Sequence, residues 1–126
     1  MKKVFSLLLL VCAMFFSSFL VVDAADVREV QALHILVNTE DEANQIRNEI
    51  LAGQTKNEVF YNFMSAAKKY SKCPSGKSGG ILGYFGRGDM VKPFEEAAFN
   101  LPNGQVSEPV KTQFGYHLIY LTDKQG

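Results

Sequence analysis

Val30-Gln31-Ala32-Leu33-His34-Ile35-Leu36-Val37 is the stretch whose reading decides the fold. Its period of two puts Leu33, Ile35 and Val37 on one face and Ala32, His34 and Leu36 on the other. Both faces are largely apolar, so each must be covered. The pattern predicts a central strand rather than an edge.

Working outward, Thr39-Glu40-Asp41-Glu42 sets a carboxylate three residues after a threonine, which is a capping box. It also places acid at the positive end of a helix dipole. The helix is predicted to reach Leu51, burying Ala43, Ile46 and Ile50, with Gly53 as its stop signal. A second helix fits Glu58 to about Ser71, where Val59, Phe60, Phe63, Met64 and Ala67 recur at helical spacing and Pro74 follows. Ser75 to Gly80 reads as an ordered loop. Ile81 to Phe85 then reads as a short strand, and Pro93 opens a short helix to about Asn100. Val106 to Val110 is a short strand or extended segment, and Tyr116 to Thr122 is a final strand. Strand, helix, helix, strand, helix, strand, strand predicts an α+β fold on an antiparallel or mixed sheet.

Upstream, the pattern changes character. Lys2 and Lys3 precede an uncharged, mostly apolar run of 19 residues, Val4 to Val22, and Val22-Asp23-Ala24 offers small residues at a cleavage site. This is the pattern of a secretory signal peptide over residues 1–24, with the domain proper over 25–126. The run is close to the ~20 residues that span a bilayer, so retention as a membrane anchor through residues 4–22 is the alternative. The expected location is the periplasm or the extracellular or secretory space. Residues 25–126 carry 11 basic and 12 acidic side chains, a net charge near −1. That balance, with no basic stripe, excludes a nucleic-acid partner. No glycine-rich dinucleotide or phosphate loop is present. Removing the signal takes Cys12 and leaves Cys73 alone, so the fold rests on packing without an internal disulfide.

The chemistry-bearing residues are few. His34 and His117 are the only histidines, one in each of the outermost predicted strands, each on a face shared with aliphatics. Buried imidazoles need hydrogen-bond partners, so the two could partner each other. A cysteine with two histidines also permits a cysteine hydrolase, with Cys73 attacking and a histidine as base. Zinc needs at least three protein ligands, and no ligand spacing of the form C-x-x-C or H-x-x-x-H occurs. No metal and no cofactor is expected. Met90 and Phe94 flank a glycine-rich turn and open a short helix, a normal setting for an apolar ligand pocket as well as for ordinary packing.

Five ordered blocks carry a resemblance. They are Ala32 to Val37; Cys73-Pro74-Ser75-Gly76-Lys77-Ser78-Gly79-Gly80; Leu82-Gly83; Gly88 to Phe94; and Gln113-Phe114-Gly115-Tyr116-His117. Together, over Arg28 to Asp123, the chain resembles the parvulin (PpiC-type rotamase) family. The resemblance implies a four-stranded antiparallel sheet surrounded by helices. It also implies site roles: His34 and His117 as paired histidines, Cys73 as the active-site thiol, and Thr112 hydrogen-bonded to the pair. Leu82, Met90, Phe94 and Phe114 would be the pocket for the substrate proline ring. Two positions depart from the family pattern, Ile81 where Asp is frequent and Asp89 where Gln is frequent. The expected activity is peptidyl-prolyl cis/trans isomerisation in proline-containing, unfolded or partly folded exported polypeptides, by a monomeric general foldase. Contact with a membrane is expected only if the N-terminal segment is retained. The acidic stretch Asn38-Thr39-Glu40-Asp41-Glu42 argues against preference for phosphorylated substrates, since carboxylates repel phosphate. The alternative is a peptide-binding chaperone or adaptor with little catalysis.

Overall fold

The computed structural model describes residues 27–126. The expected signal or anchor segment lies outside the described residues. Among those that are described, no helix is long and apolar enough to cross a membrane.

Strand β1 (Glu29–Val37) is followed by helices α1 (Glu40–Leu51) and α2 (Lys56–Tyr70) and a 3-10 turn at Pro74–Ser78. Strand β2 (Ile81–Gly86), helix α3 (Lys92–Asn100), β3 (Val110–Thr112) and β4 (Gly115–Gln125) complete the order. The four strands form one antiparallel sheet in the order β2-β1-β4-β3. The expected four-stranded antiparallel α+β fold is therefore what the chain adopts, and β1 is central, as its two apolar faces required.

Alternation along β1 builds two separate cores. Leu33, Ile35 and Val37 pack with Ala43, Ile46 and Ile50 of α1 and with Phe63, Ala66 and Ala67 of α2. Val30 and Ala32 face the other way, packing with Ile119 and Leu121 of β4 and with Phe94, Ala98 and Phe99 of α3. His34 and His117 share this second face, opposite the two long helices.

Four local readings are refined. Helix α2 begins at Lys56, not Glu58, because Thr55 caps it: Thr55 Oγ1 accepts the Glu58 N–H at 3.1 Å. The Glu58 carboxylate turns back to accept the Gln54 N–H at 2.6 Å. Gly53 is not a left-handed cap. The cap is Ala52 in right-handed conformation, and Gly53 is required by close approach, since a Cβ there would lie 2.9 Å from Glu58 Cβ. Of the short strand or extended segment expected over Val106–Val110, the ladder starts only at Val110, and Val106 makes an isolated bridge to Tyr120. Ser107 satisfies β4 here by both its backbone and its hydroxyl, which accepts the Ile119 N–H at 2.9 Å. Pro109 then offers no donor with which to extend a ladder. Strand β4 runs past Thr122 to Gln125 because a bulge between Gln31 and Ala32 re-registers it against β1.

Candidate active site

The centre of the site is the pair of histidines. Across the β1–β4 ladder His34 pairs with Ile119 and Leu36 with His117, so the two imidazoles are diagonal neighbours on one face. Their Nδ1 atoms lie 3.1 Å apart, with ring planes at 17°. Phe94, from the first turn of α3, stands edge-on to both rings at 5.6 and 5.1 Å.

Each histidine is tied outward as well. His117 Nε2 is 2.8 Å from Thr112 Oγ1, and that oxygen accepts the Phe114 N–H at 3.1 Å. His34 Nε2 is 3.1 Å from Ser75 Oγ, and the Ser75 hydroxyl donates to Cys73 Sγ at 3.4 Å. A neutral imidazole has one donor and one acceptor nitrogen. With Ser75 donating to the thiol, its oxygen accepts from His34 Nε2–H. His34 Nδ1 must then accept from His117 Nδ1–H, and His117 Nε2 accepts from the Thr112 hydroxyl. A single directed chain thus runs from the Phe114 N–H to Cys73, with both rings neutral.

The electrostatics agree with neutral rings. Burial, and then repulsion from His117, lowers the His34 pKa to about 4. Burial also lowers His117 from its ordinary value. No buried side-chain nitrogen or oxygen among the described residues lacks a partner.

The turn that carries Cys73 and Ser75 is held against β1. Gly80 accepts the His34 N–H at 2.9 Å through its carbonyl. Its φ of 86° and an approach that would put a Cβ 2.4 Å from the His34 carbonyl oxygen both demand glycine. Opposite, Asp89 Oδ2 accepts the Gly86 N–H at 2.8 Å and Glu95 Oε1 accepts the Gly88 N–H at 2.6 Å, fixing the loop before Met90.

Between these walls lies a cavity of about 530 Å³. Leu82, Met90, Val91, Phe94 and Phe114 form its apolar side, and His34, His117, Cys73, Pro74, Leu36 and Lys72 the other, with Asp89 at the rim. The expected residues His34, Cys73, His117, Leu82, Met90, Phe94 and Phe114 all meet there. Thr112 does not line the cavity but stands behind His117. Reading the sequence missed Ser75, the link between His34 and Cys73, and Lys72. Their adjacency to Cys73 was the available signal.

Residues 34–123 match the rotamase family described as the PPIC-type PPIase domain, and that span contains every one of these side chains. The chain belongs to this family. It is 47% identical over 98 residues to the foldase protein PrsA of Geobacillus sp. (strain WCH70), covering 77% of this chain and 33% of that one. Among solved structures it resembles one of two structurally related SurA-like chaperones of Campylobacter jejuni, the virulence factor PEB4 and the periplasmic protein Cj1289, with TM-score 0.74 and 38% identity over 99% of this chain and 56% of that one. It also resembles NmPin, the parvulin of Nitrosopumilus maritimus, with TM-score 0.64 and 42% identity over 76% of this chain and 97% of that one. The chain spans about a third of the length of the curated relatives it matches. NmPin, by contrast, is matched almost from end to end, so the shared unit is the isomerase domain itself.

Proposed function

We propose that the chain is a peptidyl-prolyl cis/trans isomerase that acts on X-Pro bonds of exported polypeptides as a general foldase, without need of phosphorylation. The observation that carries this is one mostly apolar cavity, roomy enough for a proline ring, walled on its polar side by a hydrogen-bond chain ending at Cys73.

The reaction is rotation about a C–N bond whose double-bond character sets a barrier of roughly 18–20 kcal/mol. Leu82, Met90, Phe94 and Phe114 hold the proline ring while the preceding carbonyl turns past Cys73. A thousandfold acceleration needs about 4 kcal/mol of selective transition-state stabilisation, within reach of desolvation and one or two preorganised dipoles. No bond to the enzyme is required. The Cys73 sulfur receives a hydrogen bond from Ser75, and His34 reaches it only through that hydroxyl, an arrangement unlike a thiol with its own imidazole base. Cys73 therefore serves as a polar neighbour of the turning carbonyl, and the histidine pair fixes the shape of the wall. Substantial activity in Cys73→Asp supports this role, and a trapped thiohemiacetal would refute it.

Export is supported by the signal-like pattern of residues 1–24, with an anchor through residues 4–22 as the alternative. The mass of the mature N-terminus separates the two. A client-holding module with little catalysis is the second reading, favoured by the likeness to SurA-like chaperones. The deciding experiment is cis/trans exchange of a short unphosphorylated X-Pro peptide, followed by NMR with the full 126-residue chain. Faster exchange that disappears in Met90→Ala/Phe94→Ala, with that variant still folded by circular dichroism, supports the isomerase. Peptide-induced shifts without acceleration support the holding module.

A further inference from the structure

A second cavity shares one lining residue, Lys72, with the active-site cavity. Lys72, beside Cys73, also lines a groove of about 470 Å³ between α1 and α2, walled by Glu42, Gln45, Glu49, Lys69 and Tyr70. That groove shares Glu49, Lys69 and Tyr70 with a smaller depression that reaches Ser65. The Lys72 N–H donates to the Leu36 carbonyl at 2.8 Å, pinning the chain to β1 where it crosses from the two-helix face to the α3 face.

The charges along this route are unequally engaged. Glu49 accepts the Tyr70 hydroxyl at 3.3 Å, and the Lys69 ammonium lies 5.0 Å over the Tyr70 ring. Asp89 is held by the Gly86 N–H. Lys72 and Glu42 have no ion-pair partner among the described residues. Lys72 is the one cation lining a cavity that is otherwise mostly apolar.

We propose that the α1–α2 groove is a second polypeptide subsite, filled by the client segment preceding the proline, and that Lys72 selects an acidic residue immediately before that proline. The proposal rests on the reading above that the proline ring enters the apolar cavity with its preceding carbonyl toward Cys73. In that pose the residue before proline lies along the Cys73–Lys72 wall. Its carboxylate meets the Lys72 ammonium, whereas a lysine there is repelled. The chain upstream then passes over Lys72 into the groove, whose walls carry both signs of charge, Glu42 and Glu49 with Lys69.

The test uses the full chain and eight-residue peptides that differ only in Glu, Gln or Lys before a proline near their C-terminal end. By exchange NMR, the Glu peptide is expected to exceed the Lys peptide in kcat/KM by about fivefold at low salt, the scale of a partly exposed ion pair. High salt narrows that gap, and Lys72→Glu, at an exposed position, reverses the order. The eight-residue peptide is also expected to shift the amide signals of Gln45, Ile46 and Ser65, which a peptide lacking the upstream residues leaves in place. Equal rates for Glu and Lys peptides, or long-peptide shifts confined to the active-site cavity, would overturn the subsite. If no peptide exchanges faster, the isomerase reading fails separately. The shifts under saturating peptide then decide alone: present along α1 and α2 they sustain the groove as a binding surface, and absent they overturn it.

Discussion

The two faces of the sheet are built from alternate residues of the same strands, yet they are covered differently. On one face Leu33, Ile35 and Val37 meet two helices of 12 and 15 residues, and the interlocking side chains leave a closed core. On the other, Ala32, His34 and Leu36 meet one helix of nine residues, and the remaining area is a cavity walled by imidazoles and a thiol. Stability is concentrated where cover is complete. A binding site arises where the cover is too short to reach across the sheet, and there the polar groups are satisfied by one another instead of by water.

The most severe way to test that contrast is to damage the closed face. Phe63 is fully buried between α2 and the sheet. Phe63→Ala is expected to cost roughly 3–5 kcal/mol, read from the urea midpoint, a large share of the 5–15 kcal/mol typical of a domain. A loss under about 1 kcal/mol would mean that this face is no better packed than the other.

Acid probes the open face. His34 titrates at 6.5 when unfolded and near 4 when folded, so between these values the unfolded chain binds more protons. Stability from this group is complete above pH ~6.5 and is lost as pH falls toward 4, a change on the order of 3 kcal/mol. Thermal melts across that window are expected to fall monotonically with acid, and exchange rates with them. A flat profile would show that the pair tolerates a proton, contrary to two neutral rings sharing one hydrogen bond.

Next in size is His117→Ala, which strands the Nδ1 of His34 and the hydroxyl of Thr112 inside the sheet face. The expected cost is about 1–3 kcal/mol, with the larger part of any rate loss traceable to the displaced His34. Long-range nitrogen–proton spectra of the wild type should show His34 protonated on Nε2 and His117 on Nδ1. The opposite tautomers would reverse the hydrogen-bond chain.

The smallest effect belongs to Ser75→Ala. It removes only the link between His34 and Cys73, and the half-open cavity admits water to replace it, so about 1 kcal/mol is expected from denaturant titration. A loss as large as that of His117→Ala would place Ser75, rather than the imidazole contact, at the centre of the wall.

Much of this was readable along the chain. The alternation of β1 announced a strand needing cover on both sides, and the capping threonine at 39 fixed the start of α1. The motif blocks identified the pocket residues and the paired histidines. Less readable were the start of α2, since Thr55 had to be recognised as a cap, and the start of β3, displaced because Ser107 and Pro109 break the ladder.

What the sequence by itself determined is the set of periods, caps and residue types, because these act between neighbours a few positions apart. Only the tertiary structure decided that Ser75 bridges Cys73 to His34 and that Lys72 lines two cavities. It alone also brought the ring nitrogens within hydrogen-bond reach of one another and of Thr112 and Ser75. Those facts depend on side chains 41 and 83 positions apart being brought within 3.1 Å, and a hydrogen bond at that range is specified by the register of packed strands and turns, not by spacing along the chain.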